Sequence, residues 1–250
     1  MRLNHLRTIL AEGKTAVNGW LHIPSTWSAE VMAHAGWDTV TVDLQHGLAG
    51  YETAVAMLQA INTTSTIALA RSTWNDPAQI MRLLDAGFQG IICPMVNNRA
   101  EAEQFVGACY YAPLGYRSLG PTRARLSIGP DYAQHANDSI LTLAMIETQE
   151  ALNNLTDILD TPGLDGVYVG PGDLGLSLTG QTGMDMGDPV LAAALAHIAE
   201  VTLANGRIAG IWVPTADRGQ QMKQLGYQFI TLSADSRLLA AAAEQIIKQM

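Results

Sequence analysis

The order of apolar and polar positions along the chain predicts short strands that alternate with helices from end to end. Short runs rich in β-branched and apolar residues are separated, with few exceptions, by stretches in which apolar residues recur at helical spacing. The predicted strands are residues 17–23, 39–43, 66–71, 90–93, 141–147, 166–170, 207–213 and 229–233. Strands that alternate with helices form parallel sheets. Eight of them, in a chain of 250 residues, predict an α/β fold, with residues 1–250 forming a single (β/α)8 TIM barrel.

The helical stretches carry their own start and stop signals. They are predicted at residues 28–35, 53–61, 78–86, 100–108, 150–159, 190–204, 217–225 and 237–250. Four of them are followed by a glycine that can adopt the left-handed conformation, namely Gly36, Gly87, Gly206 and Gly226. Residues 110–139 lack periodicity, and so long a loop is typical of a lid or an oligomer contact. The last helix is apolar over much of its circumference, which predicts packing against another subunit.

Composition narrows the classes of partner. The chain is 48% hydrophobic and 15% charged, enough to bury a large core. A net charge of −9 gives no basic surface for a nucleic-acid backbone, so nucleic acid is not an expected partner. An anionic substrate would need a local cation to reverse this field inside its site. Cys93 and Cys109 have no paired spacing and are expected to be buried free thiols.

The first residues do not resemble a secretory signal. Leu3, Leu6 and Leu10, spaced among polar residues, predict a short amphipathic helix without the apolar core of a signal peptide. The apolar run at 143–146 is far too short to span a bilayer. We therefore expect no membrane partner and a cytoplasmic location.

Charged residues stand at the ends of several predicted strands. In a barrel of this kind the reactive groups lie at the carboxyl ends of the strands. Strand two ends in the segment 43–47, strand three in Arg71, strand five in Glu147 and strand six in the segment 170–173. These residues are therefore expected to face one common site.

Glu147 and Asp173 are the predicted metal ligands. Two carboxylates from neighbouring strands supply hard oxygen donors for Mg²⁺, Mn²⁺ or Co²⁺ and leave positions for water and a chelating substrate. The alternative is that each carboxylate caps a helix, one beginning at Thr148 and the other at Leu174.

Asp43 and His46 form the predicted acid–base pair. Their spacing allows a turn to bring the carboxylate onto one imidazole nitrogen, which would orient a general base. The alternative for His46 is an ordinary polar loop residue. The other histidines lack such a context and are interpreted as structural: His5, His22, His34, His135 and His197.

Arg71 and the Gly-Pro-Gly turn are suited to binding oxygen anions. A guanidinium at the end of an apolar strand can hold the oxygen on which enolate charge develops, although a salt bridge to a carboxylate at the same rim would also explain it. Gly170 and Gly172 flank Pro171 at a predicted helix start, where main-chain amides can bind a substrate carboxylate.

Schiff-base chemistry and nucleotide cofactors are disfavoured. An enzyme that works through a Schiff base needs a lysine in the barrel, and Lys14, Lys223 and Lys248 all fall outside the predicted strands. The sequence contains neither a P-loop nor a dinucleotide-binding motif.

Several motifs together resemble the HpcH/HpaI family of class II 2-oxo acid aldolases, over nearly the whole chain from Gly19. They are the segments 43–47, 75–77 with Arg71, 83–87, 94–96, 146–148 and 166–174, the last being the most specific. The resemblance implies a hexamer, arranged as a trimer of dimers with the last helix swapped between subunits, and a divalent metal that chelates the 2-oxo acid.

The resemblance also implies roles for individual residues. Glu147 and Asp173 would hold the metal, Arg71 would stabilise the enolate, and the pair of His46 and Asp43 would move protons. The amides around Gly172 and Asp173 would bind the substrate carboxylate. By the same resemblance, Asp85 would enter the site of a neighbouring subunit.

Two positions differ from many members of that family. Gln45 stands where many have Glu, and Met145 where many have Gln. Both variants resemble a subgroup that accepts hydroxypyruvate as well as pyruvate.

The function predicted is therefore a lyase that reversibly cleaves 4-hydroxy-2-oxo acids to pyruvate or hydroxypyruvate plus an aldehyde, through a metal-stabilised enolate. The alternatives are a related lyase acting on a coenzyme A thioester, and a barrel that binds a metal-chelated 2-oxo acid without catalysis.

Overall fold

Eight parallel strands close into a barrel in a computed structural model that describes residues 4–250. The strands follow chain order around the barrel, and each pairs with its neighbours in sequence. They are β1 (Ala16–Leu21), β2 (Thr39–Asp43), β3 (Ile67–Arg71), β4 (Gly90–Cys93), β5 (Leu141–Ile146), β6 (Gly166–Val169), β7 (Ile208–Val213) and β8 (Phe229–Leu232). The predicted (β/α)8 barrel is confirmed, since every predicted strand overlaps an observed one.

Helices cover the outside of the barrel and connect the strands. They are α1 (His5–Ala11), α2 (Thr26–His34), α3 (Tyr51–Ile61), α4 (Pro77–Ala86), α5 (Arg99–Cys109), α6 (Thr122–Ser127), α7 (Tyr132–Ser139), α8 (Gln149–Asn153), α9 (Leu155–Leu159), α10 (Pro171–Thr179), α11 (Pro189–Ala204), α12 (Ala216–Gln224) and α13 (Asp235–Ile247). The helix predicted at 150–159 is divided at Asn154 into α8 and α9.

The interpretation of residues 110–139 as a long irregular loop was wrong in part, because the segment contains α6 and α7. Both helices are short, and each buries few side chains: Ala124 in α6, and Tyr132 and Ala136 in α7. So small a buried face produces no clear apolar periodicity in the sequence, which is why the pattern missed them.

The first helix closes the barrel interior at the amino ends of the strands. Leu6 and Leu10 of α1 pack in the same buried cluster as Leu141 and Phe229 from the strands. The helix predicted from the first residues is thereby confirmed for its described part, while Leu3 lies outside the described residues. Closure at this end leaves the opposite, carboxyl ends of the strands as the open face of the barrel.

Glycines end several helices as predicted. Gly36, Gly87, Gly206 and Gly226 all have positive φ, between 66° and 107°, in the turns that lead from helix to strand. Two non-glycine residues share that strained region, Met95 (φ 55°) after β4 and Ser233 (φ 57°) after β8. Both lie beyond the carboxyl end of a strand. Met95 donates its main-chain N–H to Glu147, and Ser233 lies two residues before Asp235, the first residue of α13.

Cys93 and Cys109 are buried and free, as expected. Within residues 4–250, none of the helices has the length and apolar character needed to cross a membrane.

Candidate active site

A pocket of about 270 Å³ opens at the carboxyl ends of the strands. Its charged and histidine side chains include four that follow separate strands: His22 after β1, His46 after β2, Glu147 after β5 and Asp173 after β6. Arg71, the last residue of β3, also lines it. The barrel thus brings together residues that are far apart in sequence, as the strand-end pattern predicted.

Asp43 is a fully buried carboxylate that accepts hydrogen bonds from several sides. Arg71 donates from Nε to Oδ1 at 2.8 Å and from Nη2 to Oδ2 at 2.6 Å. Trp20 Nε1 donates to Oδ2 at 3.1 Å, and the main-chain amides of Gln45 and His46 donate to Oδ1. Burial alone would raise the pKa of Asp43, but the hydrogen bonds from His22 and Arg71, together with the charge of Arg71, hold it well below its usual range. Asp43 is therefore a permanent anion.

The imidazole paired with Asp43 belongs to His22 and not to His46. His22 Nε2 lies 3.0 Å from Asp43 Oδ2, whereas His46 contacts this carboxylate through its main-chain N–H. The predicted side-chain pair of Asp43 and His46 is thus not formed within this chain, and His22, which was interpreted as structural, takes the place beside Asp43 and lines the pocket. The imidazole of His46 instead lines the pocket at the exposed tip of the loop.

The register of the barrel explains the exchange of histidines. Leu21 of β1 is paired with Val42 of β2, so the next residues, His22 and Asp43, lie side by side. Asp43 is itself paired in register with Arg71 of β3. The carboxylate therefore lies between a histidine on one side and an arginine on the other, while His46 has already left the strand.

Arg71 forms the salt bridge that was one of the two interpretations of it, and its role at an enolate oxygen stays a prediction. It forms the bidentate salt bridge with Asp43, and its guanidinium also lies 5.1 Å from the centre of the Trp20 ring. A guanidinium has five N–H donors in a fixed fork, so two bonds to Asp43 leave others for a ligand. Arg71 is consequently oriented by Asp43 and still able to donate into the pocket.

Glu147 is a buried carboxylate with few partners. Its Oε1 accepts the main-chain N–H of Met95 at 2.7 Å, and that donor is held by the strained conformation after β4. Burial, the largest cause, and the negative charge of Asp173 together raise the pKa of Glu147 to about 7, although the N–H of Met95 and the charge of Arg71 lower it. A side chain of this kind is stabilised as an anion when a cation binds beside it.

The two carboxylates fit a divalent cation by their chemistry and by the space around them. Oε2 of Glu147 lies against Gly170, where an added Cβ would come within 2.6 Å of that oxygen. Only a glycine leaves the oxygen room, and both donors are the hard oxygens that Mg²⁺ and Mn²⁺ prefer. Glu147 and Asp173 are the two carboxylates that line this pocket, and among residues 4–250 no group of three or more acidic, histidine or cysteine side chains is arranged for a metal.

The alternative that these carboxylates are helix caps does not hold. Thr148, not Glu147, caps α8 by accepting the N–H of Ala151 at 3.0 Å. Helix α10 begins after Gly170 with no side-chain cap, and Asp173 lies within its first turn. The N–H groups of Gly172 and Asp173, which line the pocket, therefore have no side chain bonded to them as a cap.

Comparisons with known proteins agree with this geometry. Residues 19–242 match the family model described as HpcH/HpaI aldolase/citrate lyase. A hydroxypyruvate/pyruvate aldolase from Rhizorhabdus wittichii is 40% identical over 98% of both chains. A 4-hydroxy-2-oxo-heptane-1,7-dioate aldolase from Escherichia coli is 38% identical, covering 97% of this chain and 93% of its own. The chain belongs to the HpcH/HpaI family. It is accordingly a carbon–carbon lyase of the aldolase type, as predicted.

Solved structures give the same assignment of fold. An HpcH/HpaI aldolase/citrate lyase family protein from Burkholderia cenocepacia superposes with a TM-score of 0.92 at 27% identity, over 98% of both chains. The pocket of this HpcH/HpaI protein thus lies on a barrel shared with its relatives.

Asp85 lies apart from the pocket of its own chain. It is in the last turn of α4, where Oδ1 accepts Nη2 of Arg117 at 2.6 Å. Arg117 is itself buried, with its guanidinium 4.5 Å from the Tyr111 ring centre and hydrogen-bonded to the Tyr132 hydroxyl. The position of Asp85 is therefore fixed, and its role at the site of another subunit stays a prediction.

Several pocket residues of this HpcH/HpaI protein were missed by the sequence analysis, among them Trp20, His22, Met184, Trp212 and Arg237. The strand-end rule could have found His22, but the first strand was predicted to continue to residue 23, which placed the histidine inside it. Arg237 lies in the first turn of α13, after the strained turn at Ser233 that follows β8. No pattern in the sequence indicates that it reaches the pocket.

Proposed function

We propose that this protein is a metal-dependent aldolase that reversibly cleaves 4-hydroxy-2-oxo acids to pyruvate or hydroxypyruvate and an aldehyde. The observation that carries the proposal is one small pocket that holds a buried, nearly unpartnered carboxylate, Glu147, beside Asp173 and faces the oriented guanidinium of Arg71. The names of the relatives from R. wittichii and E. coli support the same class of substrate.

Glu147 and Asp173 would hold a divalent ion, Mg²⁺, Mn²⁺ or Co²⁺. Such an ion supplies Lewis acidity toward the carbonyl of a chelated 2-oxo acid. Met95 positions Glu147 through its N–H, and Gly170 leaves space at the other carboxylate oxygen.

Arg71 would stabilise the charge that develops on the carbonyl oxygen. The N–H groups that Asp43 does not use are available for that oxygen, and the salt bridge fixes their direction before substrate binds. Preorganisation of this kind stabilises the transition state more than the ground state.

His46 would exchange the proton with the substrate hydroxyl, since its imidazole lines the pocket and donates no hydrogen bond to Asp43. Asp43 would act through others, by orienting Arg71 and by holding Nε2 of His22. The uncapped amides of Gly172 and Asp173 at the start of α10 would bind the carboxylate of the 2-oxo acid.

Assembly would complete the site. The side chains of Leu239, Ile246 and Ile247 on α13 are each more than 60% exposed, which suits a helix that packs on another subunit. We also propose that the protein is a hexamer, a trimer of dimers with α13 swapped between subunits, in which Asp85 reaches a neighbour's site. We further propose that the protein is located in the cytoplasm.

The test is a panel assay on the purified protein. Pyruvate and hydroxypyruvate are offered with a set of aldehydes after metal removal with a chelator, with and without added Mg²⁺, Mn²⁺ or Co²⁺. We expect no product without metal and recovery on its addition, and we expect borohydride with pyruvate to leave the protein unlabelled because no imine forms. Turnover of coenzyme A thioesters alone, or a borohydride-trapped adduct, would contradict the proposal.

A further inference from the structure

Arg237 is a cation at the mouth of the pocket that the reaction outlined above does not use. It lines the pocket from the first turn of α13, and its guanidinium lies 5.3 Å from the centre of the Trp212 ring. Within the described part of the chain it has no carboxylate or hydrogen-bond partner, in contrast to Arg71, which is bonded to Asp43. Its N–H donors are therefore available to a ligand.

The backbone around Arg237 is fixed on the barrel. Two residues earlier, Asp235 is only 4% exposed and accepts the N–H of His22 at 2.8 Å and the hydroxyl of Ser28 at 2.8 Å. These bonds tie the start of α13 to the loop after β1 and to α2. Arg237 consequently keeps its place above Trp212 whatever surface the later turns of α13 contact.

The charges that line the pocket leave Arg237 uncompensated. Asp43 balances Arg71, and a divalent ion would be balanced by Glu147 and Asp173, so these two groups together are close to neutral. With a metal bound and before the 2-oxo acid enters, Arg237 then gives the pocket a net positive charge in a protein whose overall charge is −9. A local cation of this kind is what a site needs to bind an anion against the field of the whole molecule.

Its position indicates which part of a substrate it meets. The proposed metal ligands and the uncapped amides follow β5 and β6, and Arg71 ends β3, so the 2-oxo acid is held on those sides. Arg237 and Trp212 form the β7 and α13 side of the mouth, where no other charged residue lines the pocket. The aldehyde portion of a substrate is the part left to extend toward them.

We propose that Arg237 is a specificity-determining residue that selects acceptor aldehydes carrying a carboxylate over neutral ones. A guanidinium binds a carboxylate through parallel N–H bonds, and a single uncommitted arginine suits a singly charged anion. Trp212 would pack against the apolar carbons between the aldehyde and the carboxylate. This inference rests on the aldolase function proposed above.

The experiment compares two acceptors of equal length with the metal-loaded enzyme and pyruvate. One acceptor is succinic semialdehyde, which ends in a carboxylate, and the other is its methyl ester, which is neutral. Arg237→Met removes the charge and keeps the apolar stem, Arg237→Lys restores a charge without the planar fork, and Arg99→Met makes the same change of net charge on α5, outside the pocket.

We expect Arg237→Met to lower kcat/KM for the anionic acceptor by about tenfold, mainly through KM, and to leave the ester nearly unchanged. Arg237→Lys should recover part of the preference, Arg99→Met should retain all of it, and the preference should weaken with added salt. A preference for the anion that is equal in wild type and Arg237→Met would overturn the proposal, and so would its loss in Arg99→Met.

Exchange of the pyruvate methyl protons with deuterated solvent separates this proposal from the function on which it rests. The exchange needs no acceptor, so it should proceed with an unchanged KM for pyruvate in Arg237→Met. A raised KM for pyruvate would assign Arg237 to the donor acid and overturn its assignment to the acceptor. Absence of both exchange and aldol activity in the wild-type protein would instead refute the aldolase function itself.

Discussion

Replacement of Gly170 by alanine tests whether the space beside Glu147 is required for a metal. The register of the sheet places Gly170 beside Glu147, because the preceding residues, Val169 and Ile146, are paired in β6 and β5. The main chain at this position, with φ −95° and ψ 89°, is open to alanine, so the substitution acts through its methyl group and not through backbone strain.

The size of the effect follows from the distances. The new Cβ would lie 2.6 Å from Oε2 of Glu147 and 3.1 Å from Cε of Met145, whereas ordinary van der Waals contact begins at 3.4 Å. The carboxylate oxygen must therefore move by about 0.8 Å, which exceeds the roughly 0.2 Å that metal coordination distances tolerate. Displacement of this kind should weaken metal binding by about 10- to 100-fold, on the scale of changes that misorient a metal ligand. That is about 1.4 to 2.7 kcal/mol.

The assay is calorimetric titration of the metal-free protein with Mn²⁺ in the absence of substrate. Gly172→Ala is the matched control. It adds the same methyl group two residues later, at the start of α10, where the new Cβ has no atom within 4 Å. Thermal unfolding of each variant verifies that the barrel is intact. If Gly170→Ala binds Mn²⁺ as tightly as wild type and Gly172→Ala, then Glu147 does not hold the ion in the way proposed here.

Three further predictions concern the buried pair of Asp43 and Arg71, the separate catalytic roles of Arg71 and His46, and the last helix. Asp43→Asn should lower the free energy of unfolding by about 3 to 5 kcal/mol at pH 7, because it leaves Arg71 as an unpaired buried charge. The depressed pKa of Asp43 stabilises the fold above the unfolded value of about 3.9, so in urea titrations the deficit of the variant should shrink as the pH falls below about 4; a deficit that grows there would contradict this reasoning. Arg71→Ala should abolish both aldol cleavage and pyruvate proton exchange, while His46→Ala lowers both and retains metal binding by calorimetry; normal kinetics in either variant would remove that residue from the mechanism. Deletion of the residues after Asp235 should give smaller, poorly soluble species in sedimentation, and a fully active, stable monomer of the intact chain at micromolar concentration would disprove the link between assembly and catalysis.

The elements of the barrel could be predicted from local patterns. A strand buried on both faces is a continuous apolar run, and the residue that ends it is placed at a known rim, so Arg71, Glu147 and Asp173 could be assigned to one site before any contact was known. Glycines marked several helix ends for a similar reason, since glycine adopts the left-handed conformation with positive φ more readily than other residues.

Only the tertiary structure decided which of these groups meet. The spacing of Asp43 and His46 suggested a pair, but the carboxylate is bonded to His22 and Arg71, because sheet register sets its neighbours across strands and not along the loop. Arg237 lines the pocket two residues after the buried Asp235, whose hydrogen bonds tie α13 to the loop after β1. Strand and helix patterns are short-range properties of the chain, whereas the contacts at the rim depend on barrel closure, which brings together residues as far apart in sequence as His22 and Asp235, 213 positions.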